Sequence, residues 1–237
     1  MKVHYIHQLP VKIELFKSIQ ESLSKKVDLT TTLNTNNFKY IAGVDIAYWL
    51  DEGIEWGICS IIIIDSVTLK VIEKAFSSGK VTVPYIPGYL AFRELPLIIE
   101  TVKKLTIAPD LYMFDGNGYL HPLRMGIATH ASFFVHKPTI GIAKSYFKVN
   151  DAYFEIPKNE VGAFENITIG NEVLGRALRS HKDVRPIFIS CGNFIDLDTA
   201  TEFTLSLINK DSRLPIPVRI ADLETKRIRK LLIAKTE

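Results

Sequence analysis

Between Tyr40 and Ser78 the chain reads YIAGVDIAYWLDEGIEWGICSIIIIDSVTLKVIEKAFSS, and the fold follows from how this stretch divides. Tyr40–Trp49, Ile54–Ile64 and Leu69–Ser78 are each rich in β-branched and aromatic residues, with polar or glycine-containing breaks between them. Three strands are therefore expected. Asp65-Ser66 falls between the last two, which predicts an antiparallel hairpin there. The apolar run Ile61–Ile64 is too short to cross a membrane and reads as the centre of a buried strand.

Working outward, an amphipathic helix is predicted over Val11–Lys26, with Ile13, Phe16, Ile19, Gln20 and Leu23 near one face, followed by a polar loop over Asp28–Asn37. Downstream, Val81–Leu90 is a loop containing Pro84, Pro87 and Gly88, and a helix is expected from Arg93 to Leu105. Pro96 is compatible with that helix if it lies in the first turn, where no backbone N–H is needed. Then come a short strand Leu111–Phe114, a helix Pro122–Val135, a strand Thr139–Ala143 and an irregular excursion with a hairpin over Asp151–Gly175. A strand Pro186–Ser190, a helix Asp196–Ile208 and a charged helix near the C-terminus complete the series. Three antiparallel strands followed by helix–strand alternation predict an α/β fold, a mixed sheet with helices on both faces. That order is ribonuclease H-like, although periodicity alone does not separate it from other α/β folds. With no internal repeat or linker, residues 1–237 are expected to form a single domain.

Composition narrows the class. Of 237 residues, 47% are hydrophobic and 23% charged, an ordinary globular balance. No apolar run reaches transmembrane length, so no membrane association is expected. The N-terminus lacks a basic region followed by an apolar core and cleavage site, so no secretory signal is expected and the expected location is cytoplasmic. Cys59 and Cys191 show neither CxxC spacing nor a histidine cluster, which argues for two buried thiols and against zinc. A net charge of +3 permits an anionic partner without requiring one. Lys226, Arg227, Arg229 and Lys230 cluster on the C-terminal helix, where a solvated face is the reading adopted.

Three carboxylates stand at informative places. Asp45 lies mid-strand in Ala42-Gly43-Val44-Asp45-Ile46-Ala47, where an unpaired charge is costly to bury. Asp115 closes a buried strand and is followed by Gly116-Asn117-Gly118, and Glu94 stands near the start of a helix. Hard oxygen ligands from two strands and a helix suit Mg²⁺. Taken singly, each also has a structural reading: Asp115 as a cap, Glu94 as a first-turn charge favoured by the helix dipole, Asp45 as a lysine partner.

A resemblance decides between these. Gly43-Val44-Asp45, the block Tyr85-Ile86-Pro87-Gly88-Tyr89-Leu90-Ala91-Phe92-Arg93-Glu94, Asp115-Gly116-Asn117-Gly118, His121-Pro122, and Pro138 to Ser145 resemble, in order and spacing, the motif series of the endonuclease V family. Arg213-Leu214-Pro215-x-Pro217-x-Arg219-x-Ala221-Asp222 resembles its C-terminal signature, so the similarity runs from about Tyr40 to Leu232. The resemblance implies a ribonuclease H-like nuclease with Mg²⁺ held by Asp45, Glu94 and Asp115, Mn²⁺ substituting, and Lys144 at the phosphate or attacking water. It implies nicking of DNA at the second phosphodiester bond 3′ to deoxyinosine, leaving a 3′-hydroxyl and a 5′-phosphate. It further implies a pocket for the flipped base at Gly88, Leu90, Gly116 and Gly118, and a wedge at Tyr85-Ile86-Pro87-Gly88. His121 is a candidate phosphate or water contact.

Two positions depart from the pattern. Asn117 and Asn193 stand where the family often has histidine; Asn193 is retained as an uncertain contact near the metal, and Asp196 is expected to cap its helix. Two rivals remain: a nuclease of this fold preferring inosine in RNA, and a nucleic-acid-binding protein that has lost catalysis. No obligate protein partner is inferred.

Overall fold

The computed structural model describes residues 1–234. Its frame is one eight-stranded mixed sheet. The strands are β1 (Tyr40–Asp51), β2 (Ile54–Asp65), β3 (Val71–Lys80), β4 (Leu111–Asp115), β5 (Thr139–Ala143), β6 (Phe164–Ile169), β7 (Glu172–Leu178) and β8 (Ile187–Asn193). Their order is β3-β2-β1-β4-β5-β8-β7-β6. β1 is antiparallel to β2 but parallel to β4, and β4 is parallel to β5; β8 returns antiparallel to β5. The expected mixed sheet is therefore present, with the predicted β2–β3 hairpin. The hairpin turn is longer than Asp65-Ser66. The Asp65 carboxylate accepts from the amides of Val67 and Thr68, and Leu69 takes a left-handed conformation before β3 begins.

Five helices accompany the sheet: α1 (Phe16–Ser24), α2 (Leu90–Lys104), α3 (Ile127–Val135), α4 (Leu197–Ser206) and α5 (Ile216–Ile233). One apolar layer joins Ala42, Val44, Tyr112 and Phe114 to Leu95 and Val102 of α2 and Ala131 and Phe134 of α3. The other joins Ile41, Met113, Ile140 and Ile189 to Phe203 of α4 and Val218 and Ala221 of α5. Alternate residues of one strand thus feed two layers, as period-two geometry requires.

Three helix boundaries differ from expectation. α1 is shorter than Val11–Lys26, because Ile13–Leu15 form a 3-10 turn and Val11 and Lys12 are not helical. α2 begins at Leu90, so Pro96 lies inside the helix and not in its first turn. The Pro87-Gly88 turn, with Gly88 at φ +83°, brings Tyr89 directly to the helix start, and the helix tolerates a missing N–H at Pro96. α3 starts at Ile127 instead of Pro122 because residues 119–126 are spent on a packed loop. There the Tyr119 amide donates to the Cys191 carbonyl and the Gly126 amide to that of Gly118. Asp196 caps α4 as expected, its carboxylate accepting from the Thr199 amide at 2.8 Å. Cys59 and Cys191 are buried free thiols. Among the described residues no helix is long and apolar enough to cross a membrane.

Candidate active site

β1 and β4 run side by side only from Ile41 to Val44, so β1 continues past the end of β4 and Asp45 projects beside Asp115 where β4 stops. Asp45 shares the sheet face of Gly43, and that face is covered by α5. A Cβ at Gly43 would lie 2.1 Å from the backbone of Pro217, so only glycine lets α5 press onto the strand. This close approach lowers Asp222 and Thr225 onto Asp45. Ligand oxygens of Asp45, Asp115 and Asp222 come within 4.8 Å of one another.

The charges around this trio are unevenly balanced. Lys144, just beyond β5, donates to Asp115 at 2.5 Å and to Asp222 at 2.7 Å. Asp222 also meets Lys226 at 2.9 Å and Arg219 at 3.2 Å. Burial alone would raise the Asp222 carboxyl, but Lys144 and Lys226 outweigh it and hold the group below the usual carboxylate range. Asp45 makes no ion pair among the described residues, and the Lys144 charge offsets its burial only in part. Burial, then the Asp115 charge, push it up to about 7, against the hydrogen bond donated by the Thr225 hydroxyl. Two carboxylates facing each other at low hydration cannot both ionise cheaply. An oxygen-only donor set in that condition fits a hard divalent cation, which would neutralise the repulsion.

Glu94 approaches from the other side of the sheet. It lies in the second turn of α2, buried, and accepts a 2.7 Å hydrogen bond from the Tyr48 hydroxyl. Burial pushes it up to about 8; the Tyr48 bond lowers it, and the charges of Asp45 and Asp115 raise it further. Glu94 thus stands outside the close trio but inside its field. The Arg93 guanidinium stacks over the Tyr48 ring at 4.5 Å and pairs with Glu55, which fixes Tyr48.

Beside the carboxylates is a recess of about 430 Å³, open mouth included, lined by Tyr85, Gly88, Leu90, Asn117, His121 and Phe147 among others. Gly88 and Leu90 both line this recess. Gly116 and Gly118 bracket Asn117 and act mainly through packing: a Cβ on Gly118 would strike the Cys191 carbonyl at 2.2 Å. The Asn117 Oδ1 is buried without a hydrogen-bond partner. Tyr85 is 64% exposed at the rim and Pro87 is also exposed, while Ile86 packs on the Phe16–Val83–Phe92 cluster.

His121 is not placed as a phosphate contact. Its Nε2 bonds the Gly88 carbonyl at 2.8 Å, and its Nδ1 accepts from the amides of Leu123 and Met125 at 3.1 and 3.3 Å. A carbonyl on one side and two amides on the other set the tautomer, with the proton on Nε2. Burial lowers its pKa to about 4, so the ring is neutral and shapes the recess. Asn193 is further displaced. It pairs with Thr139, at the end of β5 remote from Lys144, and its Oδ1 accepts from the Asp28 amide at 2.8 Å. Three residue steps of β5 separate its partner Thr139 from Ile142, the partner of Asp115, a rise of roughly 10 Å. Asn193 anchors the Asp28 loop and is not a metal contact. His130 is packed in the core, joined to His7 at 2.8 Å.

Three residues escaped the sequence reading. Asp222 was visible in the C-terminal motif but carried no assigned role, since nothing local says that α5 folds back onto β1. Thr225 and Tyr48 had no sequence signal at all. Arg213 of the same motif holds the Lys144 carbonyl at 2.9 Å. The basic cluster also divides: Lys226 and Arg229 line the carboxylate cleft, whereas Arg227 turns to Glu224 at 2.8 Å.

The family model described as Endonuclease V matches residues 21–223. A curated relative from Bacillus thuringiensis named Endonuclease V is 57% identical over 221 residues, covering 93% of this chain and 94% of its own. A crystal structure of the Bacillus subtilis protein superposes with a TM-score of 0.96 at 53% identity, covering 99% of this chain and 100% of that one. A Ciona intestinalis structure, solved in complex with a 24mer DNA containing an inosine followed by a ribo-adenosine, superposes at 0.81 with 26% identity. It covers 93% of this chain and 98% of that one.

Proposed function

The chain belongs to the endonuclease V family and is a nuclease acting on phosphodiester bonds; from that premise we propose that it nicks DNA at the second bond 3′ to deoxyinosine, in DNA repair. The products would carry a 3′-hydroxyl and a 5′-phosphate. The observation that supports this best is the juxtaposition of a three-carboxylate cleft with a recess of about 430 Å³, open mouth included. The inosine-bearing DNA held by the Ciona relative supports the choice of lesion.

In this reading Asp45, Asp115 and Asp222 hold Mg²⁺, with Glu94 reaching the same ion from α2 and Mn²⁺ able to replace it. The ion would supply Lewis-acid polarisation of the phosphoryl oxygen and an acidified water. Lys144 spends two of its three ammonium hydrogens on Asp115 and Asp222 and offers the third to a phosphate oxygen. Thr225 and Tyr48 orient Asp45 and Glu94. In the recess, Gly88 and Leu90 give close backbone access to a flipped base, with Gly116 and Gly118 holding the loop, and Tyr85, Ile86 and Pro87 form the wedge that fills its place in the stack. His121 acts there by fixing the Gly88 carbonyl. Hypoxanthine carries no charge and differs from adenine in its donor–acceptor edge, which suits a recess lined by uncharged residues.

The test is a duplex with one deoxyinosine, incubated with Mg²⁺ or with EDTA, alongside an adenine control. Metal-dependent nicking only of the inosine strand, one bond beyond its 3′ neighbour, is expected, and Asp45→Ala abolishes it. A parallel substrate with a ribonucleotide 3′ to the inosine tests the RNA-directed reading that the Ciona complex raises. Strong preference for that substrate would move the assignment to inosine in RNA.

A further inference from the structure

α5 presents Asp222, Thr225, Lys226 and Arg229 to the carboxylate cleft. The spacing i, i+3, i+4, i+7 is one helical stripe. Its first two members serve the carboxylates. The other two are cationic and lie farther along the helix: the Lys226 side chain is 53% exposed, and Arg229 is half-buried with its Nη1 on the Tyr48 carbonyl at 3.2 Å. Asp222 already has Lys144 and Arg219, so Lys226 adds positive charge beyond what that carboxylate neutralises. Arg227, one position away, turns outward to Glu224 and takes no part in the stripe.

The two sides of the molecule give this stripe a direction. The recess lies among residues that precede or begin α2 and α3, on one face of the sheet. α5 covers the other face, and the carboxylates stand at the sheet end between them. A strand that seats a base in the recess and lays a phosphate over the carboxylates must continue toward α5. Seven residues of helix span about 10 Å, comparable with about three phosphates of one duplex strand.

We propose that Lys226 and Arg229 clamp the nucleic-acid backbone beyond the scissile phosphate, on the side away from the recess. This rests on the function proposed above, and for a cut placed 3′ to the lesion it means the 3′ flank. The clamp reads charge alone and carries no base preference.

The test uses the full-length protein with Mg²⁺ and inosine duplexes having either a long or a minimal 3′ flank. On the long flank, Arg229→Ala and the Lys226→Ala/Arg229→Ala pair should raise KM roughly tenfold per cation removed, and flatten the slope of log affinity against log salt by about one each. The single Arg229→Ala variant leaves the Asp222 ion pairs intact, and Arg227→Ala should behave as wild type. On the minimal flank, wild type should fall to the level of the variants, which lose nothing more. Equal losses on both flanks, or a fall in kcat at unchanged KM, would overturn the clamp. Wild-type nicking with no dependence on the 3′ flank would overturn it while leaving the nuclease reading intact; no nicking of either duplex would sink that reading and the clamp with it.

Discussion

The carboxylate cleft and the neighbouring recess are built on opposite principles. In the cleft, Asp45 and Glu94 are held where burial and mutual repulsion oppose their ionisation, to about 7 and about 8. In the recess, polar groups are largely paired inside the protein: Gly88 offers its carbonyl to both His121 and Gln20, and His121 uses both ring nitrogens. Asp45 and Glu94 have no ion-pair partner among the described residues, and the recess is neutral. That contrast is what an ion with a phosphate on one side, and an uncharged base on the other, would require. The unpartnered Asn117 Oδ1 is the exception within the recess.

The comparison can be broken first at Asp222. Asp222→Asn keeps the shape but removes a charge from the trio, and nicking should fall by at least about a hundredfold while the protein stays folded. Single-turnover assays with a melting curve check both halves; unchanged turnover would remove Asp222 from the site. The recess answers differently. His121→Ala leaves the Leu123 and Met125 amides without their acceptor, so a stability loss of about 2–4 kcal/mol is expected by denaturant titration. If His121 contacted phosphate instead, the loss would fall on catalysis and spare stability.

A smaller effect concerns pH without metal. Asp45 and Glu94 have folded pKa values above their unfolded ones, so the protonated forms favour the native state. Their stabilising contribution is complete below the unfolded values near pH 4 and is lost as pH rises through about 7 and about 8. The metal-free protein should therefore melt lower at pH 8.5 than at pH 6 by several degrees, ~3–6 °C. A flat or opposite trend in EDTA would show that other titrations dominate.

The sheet was largely legible because its strands carry β-branched and apolar runs with clear breaks, and Thr139–Ala143 has the observed limits. Helix starts were less so. Residues 122–126 carry a helix-compatible composition, yet their hydrogen bonds go to Gly118 and to the His121 ring, a tertiary decision that no local pattern records. The same reason separates the site residues. Asp45, Asp115 and Lys144 sit on or directly after strands that register brings together. Asp222 and Thr225 reach them only because Gly43 admits α5, a contact between residues far apart in sequence. Asn193 misled in the opposite way, since it lies at the remote end of a strand whose near end borders the site. Charge density alone predicts a solvated face for the basic cluster, yet half of it lines the cleft.

A divalent cation is expected to complete the charge of the cleft. Calorimetric titration of Mn²⁺ into the protein without nucleic acid, at pH 8 and pH 6, tests it most directly. Saturable binding at pH 8 is predicted, weaker by roughly tenfold or more at pH 6, where Asp45 and Glu94 must first release protons, and weaker again in Asp222→Asn. Binding of equal strength at both pH values, untouched by Asp222→Asn, would place the cation elsewhere than on these carboxylates.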